Sequence, residues 1–287
     1  MALNGTKDIV DAINEGRVVN STFRKIPSQA PSAGFWFDLS MSPGLPGPKY
    51  WFGTPLESKQ IAASTDNGLF LGSNVSPADK YIYQTTMMSA NTTCFPRRMV
   101  FMDYLLFYPL VDEGTTDVQE MVNSVSLPRY TDGEGVQIIA VSVAARTGGQ
   151  SFTVSYTNQD GVSGRTTAPV VENSSTVLGN IVTSATNTAG NVTLFLPLQT
   201  GDTGVRSIES VTMLGADVGL FSLILVKPLF ETSIQEQTAP VEQTYVYEKN
   251  VLANIKDDAF VSCVLLVQSG TLSGSALLFD FKTIWST

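Results

Sequence analysis

The stretch LFLPLQTGDTGVRSIESVTML, from Leu194 to Leu214, contains residue types that could do chemistry. Asp202 and Arg206 lie four residues apart in a glycine-containing loop, so a carboxylate and a guanidinium could meet there. A catalytic carboxylate needs a second acid, a base or a metal beside it, and no histidine or second cluster completes such a site. The two glycines supply turn geometry, and Asp202 can accept hydrogen bonds from nearby amides. The stretch therefore predicts a structural corner, with Arg206 paired to Asp202, Glu209 or a partner chain.

Two acidic turns offer oxygen ligands, YTDGEG at residues 130–135 and NQDG at residues 158–161. Neither supplies the five or six oxygens at fixed spacing that a calcium site requires, so both are predicted to be plain turns. Asp257 and Asp258 are adjacent, and successive side chains of a strand point to opposite faces. They are therefore not expected to form the acid pair of a glycosidase. We expect no metal and no cofactor.

The sequence contains no histidine and two cysteines, Cys94 and Cys263. The absence of histidine removes the Ser-His-Asp and Cys-His arrangements, the histidine-ligated zinc sites and the commonest base near neutral pH. The two cysteines are far apart and form no C-x-x-C motif, so a zinc knuckle or a thioredoxin-like site has no support. Two buried free thiols are favoured over a disulfide between Cys94 and Cys263, although the sequence leaves a disulfide possible. We expect that the protein is not an enzyme.

The charge pattern argues against nucleic acid as a partner. The formal net charge is −9, and the 17 lysine and arginine residues are dispersed along the chain, whereas binding to phosphates requires clustered basic residues. No apolar run approaches the roughly 18 residues of a membrane span. The N-terminal residues MALNGTKDIVDAINEGRVV lack the apolar region of a signal peptide. These features predict a protein made in a cytoplasm that binds neither nucleic acid nor a membrane.

Most of the chain shows the pattern of β-strands. Phe152, Val154 and Tyr156 alternate with polar residues, which is typical of a strand with one buried face. The segment RRMVFMDYLLFYPLV is almost continuously apolar, as expected of a strand buried on both faces. Further strands are predicted in GVQIIAVSVAAR, STVLGNIVTSA, LFLPLQ, VGLFSLILVKPLF, AFVSCVLLV and SALLFDFKTIW. Many short strands joined by Gly/Asp/Asn turns predict an all-β fold, a jelly roll or β-sandwich.

The N-terminal segment differs from the rest. A short helix is predicted over residues 7–15, with Thr6 as cap and Gly16 as stop, and an extended arm follows. The predicted organisation is residues 1–30 as helix and arm and residues 31–287 as a β-sandwich body, one sandwich or two, with its clearest strands in residues 127–230. The apolar side chains of the helix and arm are expected to contact another subunit or the capsid: Ile9, Val10, Ile13 and Phe23.

The stretch GFWFDLSMSPGLPGPKYWFGTP, residues 34–55, combines six aromatic residues with four prolines. Trp36, Tyr50 and Trp51 are the candidate contact residues of this aromatic loop. Two explanations remain open, since aromatic side chains dominate the energetics both of cores and of interfaces. The loop could be an interfacial element fixed by its own aromatics, or a platform that contacts a carbohydrate or receptor.

Four blocks between Leu127 and Phe230 resemble structural proteins of tailed bacteriophages: LPRYTDGEGVQIIAVSV, FTVSYTNQDGVSGRT, LFLPLQTGDTGVRSIESV and LFSLILVKPL. The N-terminal TKDIVDAINEGRVV is similar to the short helix and arm of that family. These blocks are strand-and-turn signatures, so the resemblance implies a fold and a structural function and transfers no active-site residue. The long helix of the common tailed-phage shell subunit is absent, which argues against that fold.

The resemblance implies a virion protein assembled in the host cytoplasm. The leading hypothesis is a homo-oligomeric capsid protein of the decoration or minor class, with a trimer as one candidate state, whose partners are itself and other phage capsid proteins. The alternative is a tail or fibre protein that recognises host surface glycans through Trp36, Tyr50 and Trp51. A third hypothesis, a carboxylate-based glycan hydrolase, lacks a paired acid.

Overall fold

The structure is a computed structural model that describes residues 3, 5–31, 33–89, 97–184, 194–234, 240–244, 252–267 and 273–287. Cys263 is buried in it. Cys94 lies outside the described residues, and the question of a pair between the two cysteines lies outside them as well.

One α-helix and seventeen strands make up the described chain. The helix α1 spans Thr6–Asn14, and a short 3-10 turn spans Leu39–Met41. The strands are β1 (Val18–Lys25), β2 (Trp36–Asp38), β3 (Gly44–Leu45), β4 (Lys59–Gln60), β5 (Lys80–Ser89), β6 (Arg97–Asp112), β7 (Gln119–Glu120), β8 (Gln137–Ser142), β9 (Ser151–Asn158), β10 (Arg165–Thr166), β11 (Val170–Val171), β12 (Val205–Met213), β13 (Leu220–Ile234), β14 (Val241–Thr244), β15 (Ala253–Ile255), β16 (Phe260–Leu266) and β17 (Leu277–Trp285).

The strands form three sheets whose pairings are antiparallel. The first sheet has the order β14-β5-β17-β1-β3, with β15 also paired to β5. The second sheet has the order β10-β9-β12-β7, with β11 paired to β9. The central sheet has the order β2-β16-β6-β13-β8, with β4 paired to β6. The prediction of an all-β sandwich with a short N-terminal helix is confirmed.

The long strands β6 and β13 join two sandwiches into one body. Near one end of the pair, Phe101 packs with Phe279 of the first sheet in one apolar core. Near the other end, Phe221 packs with Phe152 of the second sheet in another core. Successive residues of a strand face opposite sides, and the other face of the central sheet forms a third core around Tyr104. The nearly continuous apolar run of β6 follows from burial on both faces.

The part of the predicted arm that forms β1 belongs to the body. It pairs along its whole length with β17, from Val18 opposite Ile284 to Lys25 opposite Leu277, and it also pairs with β3. Its backbone hydrogen bonds are therefore satisfied inside the first sheet. Residues 18–25 of the predicted N-terminal helix-and-arm segment therefore form a strand of the first sheet.

Two predicted strands are irregular instead. Residues 175–184 contribute only isolated bridges, Phe37 to Asn180 and Val141 to Ile181, and residues 194–199 form no strand. Both segments still bury apolar side chains against the central sheet. Each segment is apolar because its side chains are buried. Burial alone does not distinguish a strand from a loop that covers the core.

The glycine-containing loop after residue 200 is the predicted corner, with different partners. Asp202 accepts hydrogen bonds from Arg165 Nε at 2.9 Å, the Tyr156 hydroxyl at 2.6 Å and Asn158 Nδ2 at 2.8 Å. These bonds, that from Arg165 foremost, lower the pKa of Asp202 to about 2. Arg206 donates instead to the carbonyl oxygens of residues 132 and 159. The predicted pairing of Arg206 with Asp202 or Glu209 is wrong within the chain, because Arg165 of β10 pairs with Asp202 instead.

Candidate functional site

The aromatic loop leaves the central sheet at residue 36, crosses to the first sheet and returns by residue 52. It begins as β2, which pairs with β16, and turns through the 3-10 segment into β3, which pairs with β1. It then runs without regular structure to Phe52. A segment with few backbone pairs of its own needs side-chain anchors to hold one conformation.

Asp38 is the first anchor. Its carboxylate is fully buried and accepts hydrogen bonds from Trp51 Nε1 at 2.8 Å, the Tyr104 hydroxyl at 2.9 Å and the Ser40 amide at 3.0 Å. The Ser40 hydroxyl also donates to it. Burial raises the pKa of Asp38, and the donated hydrogen bonds oppose that rise. One carboxylate thus ties the start of the loop to its end and to the central sheet.

Lys25 is the second anchor. Lys25 is 1% exposed, and its ammonium group lies among four backbone carbonyl oxygens of the loop. It donates to Pro46 O at 2.9 Å and Ser42 O at 3.0 Å, with Gly47 O at 3.3 Å and Ser40 O at 3.4 Å. Burial lowers the pKa of Lys25 to about 8, so the group is mainly charged at neutral pH. The ammonium replaces the backbone partners that the loop lacks.

Trp51 is the third anchor, and it is apolar. The ring is fully buried, stacks on Tyr104 with centroids 5.5 Å apart and meets Phe107 edge-on at 5.4 Å. Its backbone carbonyl accepts a hydrogen bond from the Ser222 hydroxyl at 2.9 Å. Trp51 therefore fixes the loop against β6 and β13 of the central sheet.

The residues on either side of Trp51 point outward. Tyr50 and Phe52 are each 50% exposed, and their rings stack on one another with centroids 6.3 Å apart and an interplanar angle of 26°. Leu45, in the same loop, is 59% exposed. We call the stacked pair Tyr50 and Phe52 the apolar edge of the loop. It is a small apolar surface on a support whose three anchors are buried, which is an arrangement suited to docking.

The structure corrects two of the three predicted contact residues of the loop. Trp51 is a core residue, and Trp36 is 6% exposed with the Arg98 guanidinium over its ring at 5.9 Å. Only Tyr50 is available at the surface. Phe52, 50% exposed, was not among the predicted contact residues, although the sequence carries a signal for it. In an extended YWF segment the middle side chain faces away from its two neighbours.

The predicted contact residues of the N-terminus divide in the same way. Phe23 is fully buried between Phe101 and Phe279, so the expectation that it contacts another subunit is corrected: its partners are in its own core. On α1, Ile9 is buried against the body, whereas Val10 and Ile13 are 48% and 43% exposed. The helix begins after Gly5, without the side-chain cap predicted for Thr6.

The acidic residues considered for chemistry are engaged in turns. Asp257 accepts from the amides of residues 75 and 76 and pairs with Lys80 at 3.0 Å, whereas Asp258 accepts from Ser64. The two neighbouring carboxylates thus bind different segments. In the part of the chain that the structure describes, no group of three or more carboxylate, histidine or cysteine side chains is arranged to hold a metal ion.

Within the described ranges, no helix has the length and apolar character needed to cross a membrane.

Comparisons with known proteins add little. No protein-family model matches the chain, and no curated protein matches it. Among solved structures, the chain is similar to a chain in the structure of infectious bursal disease virus Gt strain, with a TM-score of 0.19 and 9% sequence identity. It is also similar to a chain in the structure of the Gx strain, with a TM-score of 0.18 and 8% sequence identity. It is also similar to the VP2 subviral particle of the same virus at 0.18 and 10%. Each comparison covers 94% of this chain and 80% of the other. TM-scores this low do not establish a common fold, and the fold assignment rests on the three sheets alone.

Proposed function

We propose that the protein is a structural component of a bacteriophage virion, a homo-oligomeric capsid protein of the decoration or minor class. The observation that carries the proposal is the apolar edge of the aromatic loop, which is half exposed on a support with fully buried anchors. A protein that attaches to a preformed lattice benefits from a fixed apolar surface, because little conformational entropy is lost when it binds. The sequence resemblance to tailed-phage structural proteins gives the biological context.

A second exposed apolar surface supports attachment at more than one point. Val10 and Ile13 lie one helical turn apart on α1, which is held to the body through the buried Ile9 and Ala12. A subunit with two separate apolar contacts can bind a neighbouring copy through one and the shell through the other. We therefore propose copies of itself and other capsid proteins as partners. The proposed location is the virion, after assembly in the host cytoplasm.

We also propose that the protein has no catalytic function. The support comes from the carboxylates that could have done chemistry, since Asp202, Asp257 and Asp258 are each held by structural hydrogen bonds.

The alternative function is host recognition by a tail or fibre protein. One observation favours it: the stacked rings of Tyr50 and Phe52 resemble the flat aromatic surfaces on which sugars pack. Burial of Trp36 and Trp51 weakens it, because two of the three aromatic residues assigned to glycan contact cannot reach a ligand in this conformation.

The double variant Y50A/F52A tests the proposal. We expect the variant to fold as the wild type does. We expect it to bind particles assembled without this protein at least about tenfold more weakly, because truncating an anchor residue at the centre of an interface typically costs about 2 kcal/mol or more of binding free energy. The measurement is co-sedimentation of the purified full-length chain with such particles over a range of concentrations.

The matched control is F70A, which removes an aromatic side chain that is 64% exposed outside the aromatic loop. Unchanged particle binding by Y50A/F52A would contradict the proposed contact. Binding of both wild type and F70A to a host glycan on an array, with loss in Y50A/F52A, would favour the host-recognition alternative.

A further inference from the structure

Four loops meet at one end of the body around a set of buried charged side chains. Glu113 directly follows β6, Arg146 lies beyond β8, Glu172 directly follows β11, and Asp217 lies in the loop before β13. Glu113 is fully buried, and Arg146 and Glu172 are each 2% exposed. Charged residues are rarely buried to this extent unless they are paired. We call these four residues the buried ionic cluster.

The contacts in the cluster connect loops that are distant in the sequence. Arg146 Nε lies 3.3 Å from Glu113 Oε1, and the Arg146 guanidinium also donates to the backbone carbonyl of Asn173. The carboxyl groups of Glu113 and Glu172 lie within hydrogen-bonding reach of each other. The amide of Asp217 donates to the backbone carbonyl of Glu113 at 2.7 Å.

The loop before β13 crosses directly over the ion pair. Gly219 has a φ of 152°, and a Cβ atom at this position would lie 2.7 Å from Glu113 Oε2 and 2.4 Å from Arg146 Cβ. A larger residue would therefore displace either the loop or the pair. This close approach explains how the cluster is kept from water.

The charges in the cluster do not balance. Three carboxyl groups surround one guanidinium, and Asp112 adds a further negative charge nearby. Both carboxyl oxygens of Glu113, both of Glu172 and Oδ2 of Asp217 are buried without a hydrogen bond, and so are Nε and Nη1 of Arg146, which meets Glu113 only as an ion pair at 3.3 Å. A buried acceptor without a donor destabilises the folded state, and more so when it is charged. A proton held between the two glutamates would supply a donor and remove one negative charge.

We infer that Glu113 and Glu172 hold a shared proton at neutral pH, and that this proton fastens the four loops together. When the proton is lost, two buried carboxylates face each other, and Arg146 is the guanidinium beside them. The loops then separate or admit water, because isolated buried charge is far more costly than a loosened loop. Val118, Leu214 and Val218 are exposed on these loops, so the apolar surface at this end of the body changes with pH.

The direction of the pH effect follows from the two carboxyl groups. Burial raises the pKa of Glu113 to about 7, against the lowering effect of Arg146 and with a further rise from Asp217 and Asp112. Burial together with Glu113 raises the pKa of Glu172 to about 8. The unfolded chain releases these protons near the ordinary glutamate pKa of about 4.3. Between those values the folded state binds more protons than the unfolded state, so stability falls as the pH rises.

The variant E172Q tests the inference, because glutamine has the shape of the protonated acid and cannot lose the proton. We measure thermal unfolding of the full-length chain from about pH 5 to about pH 9. The wild-type midpoint should fall progressively from about pH 5 to about pH 8 and level off above it, and the midpoint of E172Q should fall much less. The matched control is E209Q. It replaces Glu209, whose carboxylate accepts hydrogen bonds from Ser155, Thr157 and Gly164. The pH profile of E209Q should parallel that of the wild type. Parallel profiles for E172Q and wild type would overturn the inference.

A second measurement uses the wild-type chain alone and does not depend on a folded variant. Labelling the glutamate side chains with ¹³C lets NMR follow the carboxyl groups through a pH titration, separately from the aspartates. We expect two glutamate carboxyl signals that titrate at or above neutral pH. Titration of every glutamate at ordinary acidic pH would overturn the inference.

Discussion

The variant W51A is expected to lose about 3–5 kcal/mol of unfolding free energy, the range found when a buried large aromatic is truncated. The Trp51 ring is fully buried between Tyr104 and Phe107, so its removal leaves a cavity in the third core. It also removes the hydrogen bond from Trp51 Nε1 to Asp38. The buried carboxylate then loses one of its donors, which adds to the cost of the cavity.

The measurement is chemical denaturation of W51A and of the control Y50A. Tyr50 neighbours Trp51 in the chain but is half exposed, so Y50A should change stability by no more than about 0.5 kcal/mol, as surface substitutions do. W51A should also weaken particle binding, since it releases the support of the apolar edge. Similar stability of W51A and Y50A would contradict the assignment of Trp51 as a buried anchor.

The variant R129A is expected to lose a comparable amount, about 3–5 kcal/mol, because it leaves a buried carboxylate without its counter-charge. Arg129 donates to both oxygens of Asp103, at 2.8 and 2.7 Å, and to the backbone carbonyls of Ile61 and Tyr104. Asp103 is fully buried, and Arg129 is 8% exposed. The pair therefore joins the segment before β8 to the middle of β6.

The control is R98A, which breaks an exposed ion pair. Arg98 lies 2.7 Å from Glu231, and the two side chains are 53% and 54% exposed. Solvent screens such a pair, so R98A should cost no more than about 1 kcal/mol. Equal losses for R129A and R98A in denaturation experiments would show that burial of the Arg129–Asp103 pair does not determine its contribution.

The regular strands were predictable from local pattern. The alternation in β9 and the continuous apolar run in β6 each follow from how many faces of the strand are buried. Both strands appear in the structure as expected. The apolar runs at residues 175–184 and 194–199 gave the same signal although they form covering loops, because burial rather than strand pairing produced their composition.

The buried charges could not be predicted. Lys25 and Asp38 are isolated in the sequence. Only the fold brings the backbone carbonyl oxygens of the loop to Lys25 and the Trp51 ring to Asp38. Glu113 and Glu172 come from different loops, and nothing in their local sequence distinguishes them from surface glutamates. Such contacts depend on tertiary packing, which a single sequence does not encode in any short window.

The most direct test of the proposed virion function is the number of copies of this chain in purified particles. Quantitative mass spectrometry against the major shell protein gives this ratio. We expect about one copy per shell subunit, or a simple fraction such as about one third, because a lattice-binding protein follows the symmetry of the lattice. Absence from purified particles would contradict the proposal, and a few copies per particle would instead support a portal, tail or fibre location.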